Sequence, residues 1–557
     1  MMADIVLWTG PVLPLVALLW PVLMAGLAAL PAVRLRSIRL LPLAPLPALV
    51  LALTAGEAET MAPHLLLGVM LQLDESGRLL LGLTAALWLI AGLAAQTMAR
   101  QPNAALFAAF WCLTLAGNLG VFLARDIATF YVSFAAVSLA AWFLVVHDRT
   151  ETAQRAGLVY IVIAVLGEVC LLLGLLMSAH AADSLEIALI RMMLGGADAP
   201  ALALPLLVIG FGIKAGMVPL HVWLPLAHPA APVAASAVLS GAIVKAGLYG
   251  LMQFLPDGQG MQILVVLGAA GAFLAALWGL TQANPKAVLA YSTISQMGLM
   301  ILLIGTGGAA RDSVAYFAAH HGFAKGALFL LCGMMLSAAT QSQRRACLVV
   351  AAVVAASVAG LPLSGGALAK SVAKSGLTDE LALLLSLSSV TTTLILVWFL
   401  HRLWALPVAE TAPERWRLRL LLPAVAGGLA FVAPWLLWAG WSDQALGYNL
   451  TQATLTDAIW PVLLALPIAV ILLRKALPAV PPTLPPGDLL LVLPRWPFGP
   501  VSLPEASAPS QQLRAFGTVT SALVAAAEHR LIRWSLTGTI LAALVLVFLA
   551  ALAFGSL

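Results

Sequence analysis

GFGIKAGMVPLHVWLPLAHPAAPVAASAVLSGAIVKAGLYG, residues 210–250, holds two lysines, two histidines and no acid. The rest is almost wholly apolar or small. Lys214 and Lys245 sit inside apolar stretches long enough to cross a bilayer. A charged side chain at the centre of a bilayer costs roughly 3 kcal/mol on insertion scales. A sequence that places two ammonium groups there implies partners for them in the protein interior. Pro219 and Pro225 follow Lys214 and predict a broken helix, whereas 232–254 reads as a continuous span with Lys245 near its middle.

The surroundings make the lipid setting firm. The chain has 557 residues, of which 62% are hydrophobic and 9% charged, whereas soluble domains carry about 25% charged residues. Runs of the required length recur, and the pattern predicts about sixteen helical spans. They include 6–29, 40–55, 126–147, 157–179, 201–224, 232–254, 346–372, 457–473 and 532–556. Arg34, Arg36, Arg39, Arg100, Arg149, Arg344, Arg345 and Arg474 fall in connections on one side. Glu59, Asp74, Asp183, Asp257, Asp379, Glu380 and Asp443 fall on the other. Basic loops mark the cytoplasmic side, so both termini are expected on the outer face. The first apolar run reads as a retained span. The net charge of +5 is scattered over short loops and suggests no nucleic-acid partner. The four cysteines form no CxxC pair, which argues against an iron–sulfur centre, a zinc site or a disulfide scaffold.

Ionisable residues recur within the spans. Glu168 lies in VIAVLGEVCLLLGLLM. His320, His321 and Lys325 lie in YFAAHHGFAKGALFLLCG, and Lys370 and Lys374 in GLPLSGGALAKSVAKSGL. With Lys214 and Lys245 they occupy five spans and predict a hydrophilic line, the usual mark of an ion pathway or proton relay. Lysine suits such a role because desolvation brings its proton affinity toward neutral pH and a neighbouring carboxylate reverses that. Several residues have a plainer alternative. Lys286 can anchor a helix end, Lys374 can snorkel to the surface, His320 can pack on His321, and His228 can cap the break after WLPLA. Gly360, Pro362, Gly365 and Gly366 predict a second broken helix before Lys370. Two interrupted helices five spans apart suggest a tandem five-helix unit, inverted in the membrane because its number of helices is odd.

These motifs resemble the antiporter-like subunits of respiratory complex I, of Mrp cation/proton antiporters and of group 4 membrane-bound hydrogenases. The resemblance is carried by GIKAGMVPLHVWLPLAHPAAP, SAVLSGAIVKAGLYG, NPKAVLAYSTISQMG, HHGFAKGALFLLCG and GLPLSGGALAK, and covers roughly residues 70–440. It implies fourteen core helices in two inverted five-helix repeats, proton translocation along the central axis, and Lys370 as the terminal channel residue. One position departs from the pattern. The family carries a glutamate on its fifth helix to pair with the lysine of the broken helix. Here DIATFYVSFAAVSLAAWF has Ala135 at that place, and the nearest acid, Glu168, lies on the next helix.

The expectation is therefore an all-α polytopic membrane protein with two inverted repeats, each with a broken helix, a C-terminal surface helix and a final anchor. Its divisions are N-terminal spans in 1–98, repeats in 103–254 and 260–400, and peripheral spans in 401–475. A Pro-rich segment and amphipathic helix follow in 476–530, and an anchor in 531–557. The expected function is proton conduction within a multi-subunit membrane complex of the bacterial inner membrane. Glu168, Lys214, Lys245, His321, Lys325 and Lys370 form the pathway, with His228, His320, Lys286 and Lys374 as secondary candidates. No cofactor, metal or catalytic residue is expected, and any enzymatic class would come from an oxidoreductase complex that the chain serves. Two alternatives stay open: a scaffold that anchors a partner enzyme, and a stand-alone sodium/proton or solute transporter.

Overall fold

The computed structural model describes residues 12–474, apart from 35, 55–58, 64, 102 and 257–260, together with residue 543. The expected tail helix and anchor, and the start of the first span, lie outside the described residues. In chain order the helices are α1 (Leu13–Ala29), α2 (Ser37–Thr54), α3 (Glu75–Ala95), α4 (Ala104–Leu123), α5 (Ile127–Val145) and α6 (Glu151–Ala182). Then come the short α7 (Ile187–Leu194), α8 (Ala203–Ala215), α9 (Trp223–Ala230), α10 (Val233–Val238) and α11 (Lys245–Phe254). The remainder are α12 (Gln262–Leu280), α13 (Pro285–Thr306), α14 (Val314–Leu336), α15 (Gln341–Ala359), α16 (Gly365–Lys374), α17 (Asp379–Trp404), α18 (Trp416–Trp441) and α19 (Gln452–Arg474). Among the described residues, twelve helical segments are long and apolar enough to cross a membrane, and α1 and α8 are shorter apolar helices.

Helix starts follow local chemistry. Asp126 accepts a hydrogen bond from the Thr129 amide at 2.7 Å, Thr150 caps α6, and Thr340 with Gln343 forms a capping box for α15. Pro285 occupies the first turn of α13, where its missing N–H costs nothing.

Three spans are interrupted, the two that proline and glycine announced and one that was expected to be continuous. The span 201–224 is two helices, because Gly216 takes a left-handed φ of 73° after α8. The span 346–372 divides likewise, with Gly360 at φ 91° after α15. The span 232–254 is not the unbroken helix expected, since a π-helical turn at Leu239–Ile243 separates α10 from α11 just before Lys245. The sequence reading also missed an antiparallel hairpin, β1 (Glu59–Ala62) with β2 (Val69–Gln72). Its end is tied to α11, since Asp74 pairs with Arg125 at 3.2 Å and accepts from Gln253 Nε2 at 2.7 Å. Burial works against the Arg125 charge, yet Tyr249 and Asp74 outweigh it and hold the guanidinium above its ordinary pKa.

Burial sorts the helices into centre and rim. Helix α13 is buried along its length and the α10–α11 span nearly so, whereas α12, α18 and α19 turn most of their surface outward. Helix α6 shows the logic at one element. Leu158, Val162, Val165, Leu166, Val169, Leu173 and Leu176 face out. Gly157, Tyr160, Gly167, Glu168, Leu171, Gly174 and Ser178 face in. The apolar rim suits lipid, and the small inward residues let neighbouring backbones approach.

Candidate functional site: a line of buried bases and hydroxyls

Glu168 occupies the inward face of α6 and is only 7% exposed. Its Oε1 accepts a hydrogen bond from Ser138 Oγ at 2.5 Å, and Ser138 Oγ in turn accepts one from Lys214 Nζ at 2.5 Å. The two charged ends therefore lie at most twice 2.5 Å apart, or 5.0 Å. At that separation and an effective dielectric near 20 the attraction is about 3 kcal/mol. Ser138 sits on α5 nearly one turn beyond Ala135, so the fifth helix contributes a hydroxyl while the next helix contributes the acid. A hydroxyl donates and accepts at once, so the three groups form a continuous hydrogen-bonded chain. The Lys214 ammonium also lies 5.3 Å from the Phe134 ring centroid. A cavity of about 10 Å³ is lined by Phe134, Ser138, Tyr160, Glu168, Lys214 and Trp223. That is on the order of the space one water requires.

Lys245 is fully buried. Its Nζ donates to the Ser240 carbonyl at 2.6 Å and meets His321 Nδ1 at 2.8 Å. Ser240 lies within the π turn, and a widened turn frees backbone carbonyls from the α ladder. The turn thus supplies the oxygen that holds the lysine. One helical turn past His321, Lys325 Nζ donates to Ser292 Oγ on α13 at 2.5 Å. Beside Ser292, Thr293 shares a 2.7 Å hydrogen bond with Ser240 Oγ, which links the two lysine environments through hydroxyls. His320 does not pair with His321. Its Nε2 lies 3.0 Å from Ser357 Oγ on α15, close to the second break. Lys370 Nζ donates to Ser389 Oγ at 2.6 Å and to the Ala359 carbonyl at 3.2 Å, so it sits at the C-terminal end of α15, where the helix dipole favours a cation.

The secondary candidates separate. Lys286 Nζ donates to the Ala231 carbonyl at 2.5 Å and to the Pro229 carbonyl at 3.4 Å, capping α9 across the break. His228 stacks on Phe329 with centroids 4.4 Å apart. Lys374 does not simply snorkel, for it forms an ion pair with Asp457 of α19. Glu168 and Lys214 come together, as do Lys245, His321 and Lys325. Among the described residues no direct hydrogen bond joins Lys214 to Lys245. The sequence reading missed Ser138, Ser292, Ser389 and Asp457. Also missed was His221, which is fully buried in the first break and stacks on Trp278 at 5.4 Å. The signal for the serines was present as polar residues inside apolar spans, but serine in a membrane helix commonly bonds to its own backbone.

A multi-pass helical protein with two lysine-bearing broken helices and a buried polar line defines the class of antiporter-like membrane subunits. Residues 124–395 match the family described as "NADH:quinone oxidoreductase/Mrp antiporter, TM". It is 34% identical over 229 residues to hydrogenase-4 component B of Escherichia coli (strain K12), covering 37% of this chain and 34% of that protein. It is 31% identical over 352 residues to NAD(P)H-quinone oxidoreductase chain 4 1 of Picosynechococcus sp. (strain ATCC 27264 / PCC 7002 / PR-6), covering 59% and 62%. The chain therefore spans less than two thirds of the length of these relatives. Its fold matches a chain in the structure of the Mrp complex from Dietzia sp. DQ12-45-1b, with a TM-score of 0.69 and 20% identity over 98% of this chain and 63% of that one.

Proposed function

We propose that this chain conducts protons through the interior of a multi-subunit membrane complex. The observation that carries the reading is the Glu168–Ser138–Lys214 chain, in which a buried acid and a buried base share one hydroxyl at 2.5 Å from each. Such an arrangement transfers a proton without moving heavy atoms far, and a shift of the carboxylate changes the lysine's hold on its proton. Lys245, His321, Lys325 and Lys370 continue the line, and repeats at 103–254 and 260–400 would each supply one half-channel. The polar line contains bases and hydroxyls with a single carboxylate, which suits protons better than a dehydrated sodium ion that needs several oxygen ligands. The relatives named above come from complexes, so other membrane subunits are the expected partners, and the bilayer is the bacterial inner membrane. The distribution of basic and acidic loops in the sequence supports an orientation in which both chain ends face outward.

The carboxylate is the part peculiar to this sequence, so it is the part to test. Glu168→Gln keeps shape and removes charge. In energised membrane vesicles carrying the complex, it should slow proton translocation by about tenfold, the low end of acid–base contributions. Ala135→Glu introduced with it should restore part of the rate. Unchanged translocation in Glu168→Gln contradicts the role given to the acid and favours a scaffold.

A further inference from the structure

Lys370 is buried, at 6% exposure, yet it borders a large polar cavity. The cavity has a volume of about 540 Å³. That is many times the space one water requires, enough for connected water rather than one bridging molecule. Ser386 and Ser389 of α17 line the cavity, Ser389 accepting from Lys370, and so do Thr454 and Asp457 of α19. The Asp457 side chain is 49% exposed and its partner Lys374 is 20% exposed, so their ion pair stands where the cavity meets the surface. Lys370 and Lys374 are four residues apart on α16 and share one face of it.

Taking the conduction reading as its basis, we propose that Asp457 is the outlet of the pathway, the carboxylate that exchanges protons between Lys370 and the aqueous phase. A proton leaving Lys370 Nζ passes through water in the cavity to an Asp457 carboxylate oxygen and from there to bulk. No bond between heavy atoms forms or breaks. Lys374 gives the outlet its direction. While Asp457 is ionised, it offsets the Lys374 charge. Once protonated, it leaves that charge free to act on Lys370 one turn away, so the inner lysine is discouraged from recharging from the outlet side. Exposed ion pairs contribute little to stability, which leaves the position of this one at the cavity mouth as its distinguishing property. Asp457 lies at the end of α19 opposite Arg474, and α17 begins nearby with Asp379 and Glu380. By the loop-charge rule this end faces outward.

The test uses the whole complex in native membrane vesicles, with four variants and two readouts. Asp457→Asn should lower proton translocation by about tenfold, and Asp457→Glu should recover most of it. Wild-type translocation in Asp457→Asn while Lys370→Ala is inactive overturns the outlet and leaves the conduction reading standing. Wild-type translocation in Lys370→Ala overturns both. The second readout does not depend on transport. Ser371 also lines the cavity, so Ser371→Cys in the full chain should react with a charged, membrane-impermeant thiol reagent added from the outer side. Wild-type protein, whose Cys112, Cys332 and Cys347 are buried, serves as the background. Should Asp457→Asn reduce assembly on a native gel, the labelling decides: reaction at Ser371→Cys above background supports an outward aqueous outlet, and its absence overturns it.

Discussion

Ser138 does two things at once. Its oxygen lies 3.2 Å from the Phe134 carbonyl in its own helix and 2.5 Å from both Glu168 and Lys214. The first contact is what serine does in any helix. The other two require that α5, α6 and α8 meet at one point, which no local pattern encodes. Ser138→Ala should therefore slow proton translocation by about tenfold, while Ser138→Thr, which keeps the hydroxyl, should stay close to wild type. Equal rates in both variants, measured as pH-gradient formation in vesicles, would show that the lysine and the acid communicate without the hydroxyl. Glu168 itself was legible, because it is the acid nearest a position where the family pattern requires one and this sequence has Ala135. The lysines were legible for a similar reason, since a charge within an apolar run has few explanations. The residues that answer those charges were not, because serine is unremarkable at any single position.

At the scale of elements, backbone breaks and lysines go together. Lys245 holds a carbonyl of the π turn, Lys370 holds the last carbonyl of α15, and Lys286 holds two carbonyls at the end of α9. A helix that stops inside a membrane leaves carbonyls without water, and an ammonium satisfies them. Glycine and proline announced the breaks after Lys214 and before Lys370. Nothing announced the π turn, since SAVLSGAIVK reads as an ordinary apolar run and the widening is a packing response. Lys286 belongs to the same set but caps α9 rather than touching another base. Lys286→Met should lower the stability of the purified protein by about 1–3 kcal/mol, the cost of leaving buried carbonyls unpaired. A thermal unfolding curve in detergent reads this as a reduced Tm. An unchanged Tm would mean that water serves the α9 end as well as lysine does.

Over the whole molecule, the most buried elements carry much of the polar line. The α10–α11 span, α13 and α14 form the centre, and they bring Lys245, His321, Lys325 and Ser292 together there. The apolar outer helices enclose that centre, so the fold spends its packing on excluding lipid from a polar axis. The order of spans was legible from hydropathy, while the meeting of distant segments was not, as with Lys374 and Asp457, which are far apart in sequence and paired in space. The proposed function gives Lys245 the junction between the two halves of the line, so the conduction account depends on it most. The decisive measurement is proton translocation by energised vesicles in which the complex carries Lys245→Ala. The account predicts that translocation falls to the level of vesicles lacking the chain while the complex remains intact on a native gel. Wild-type translocation by that intact complex would contradict it.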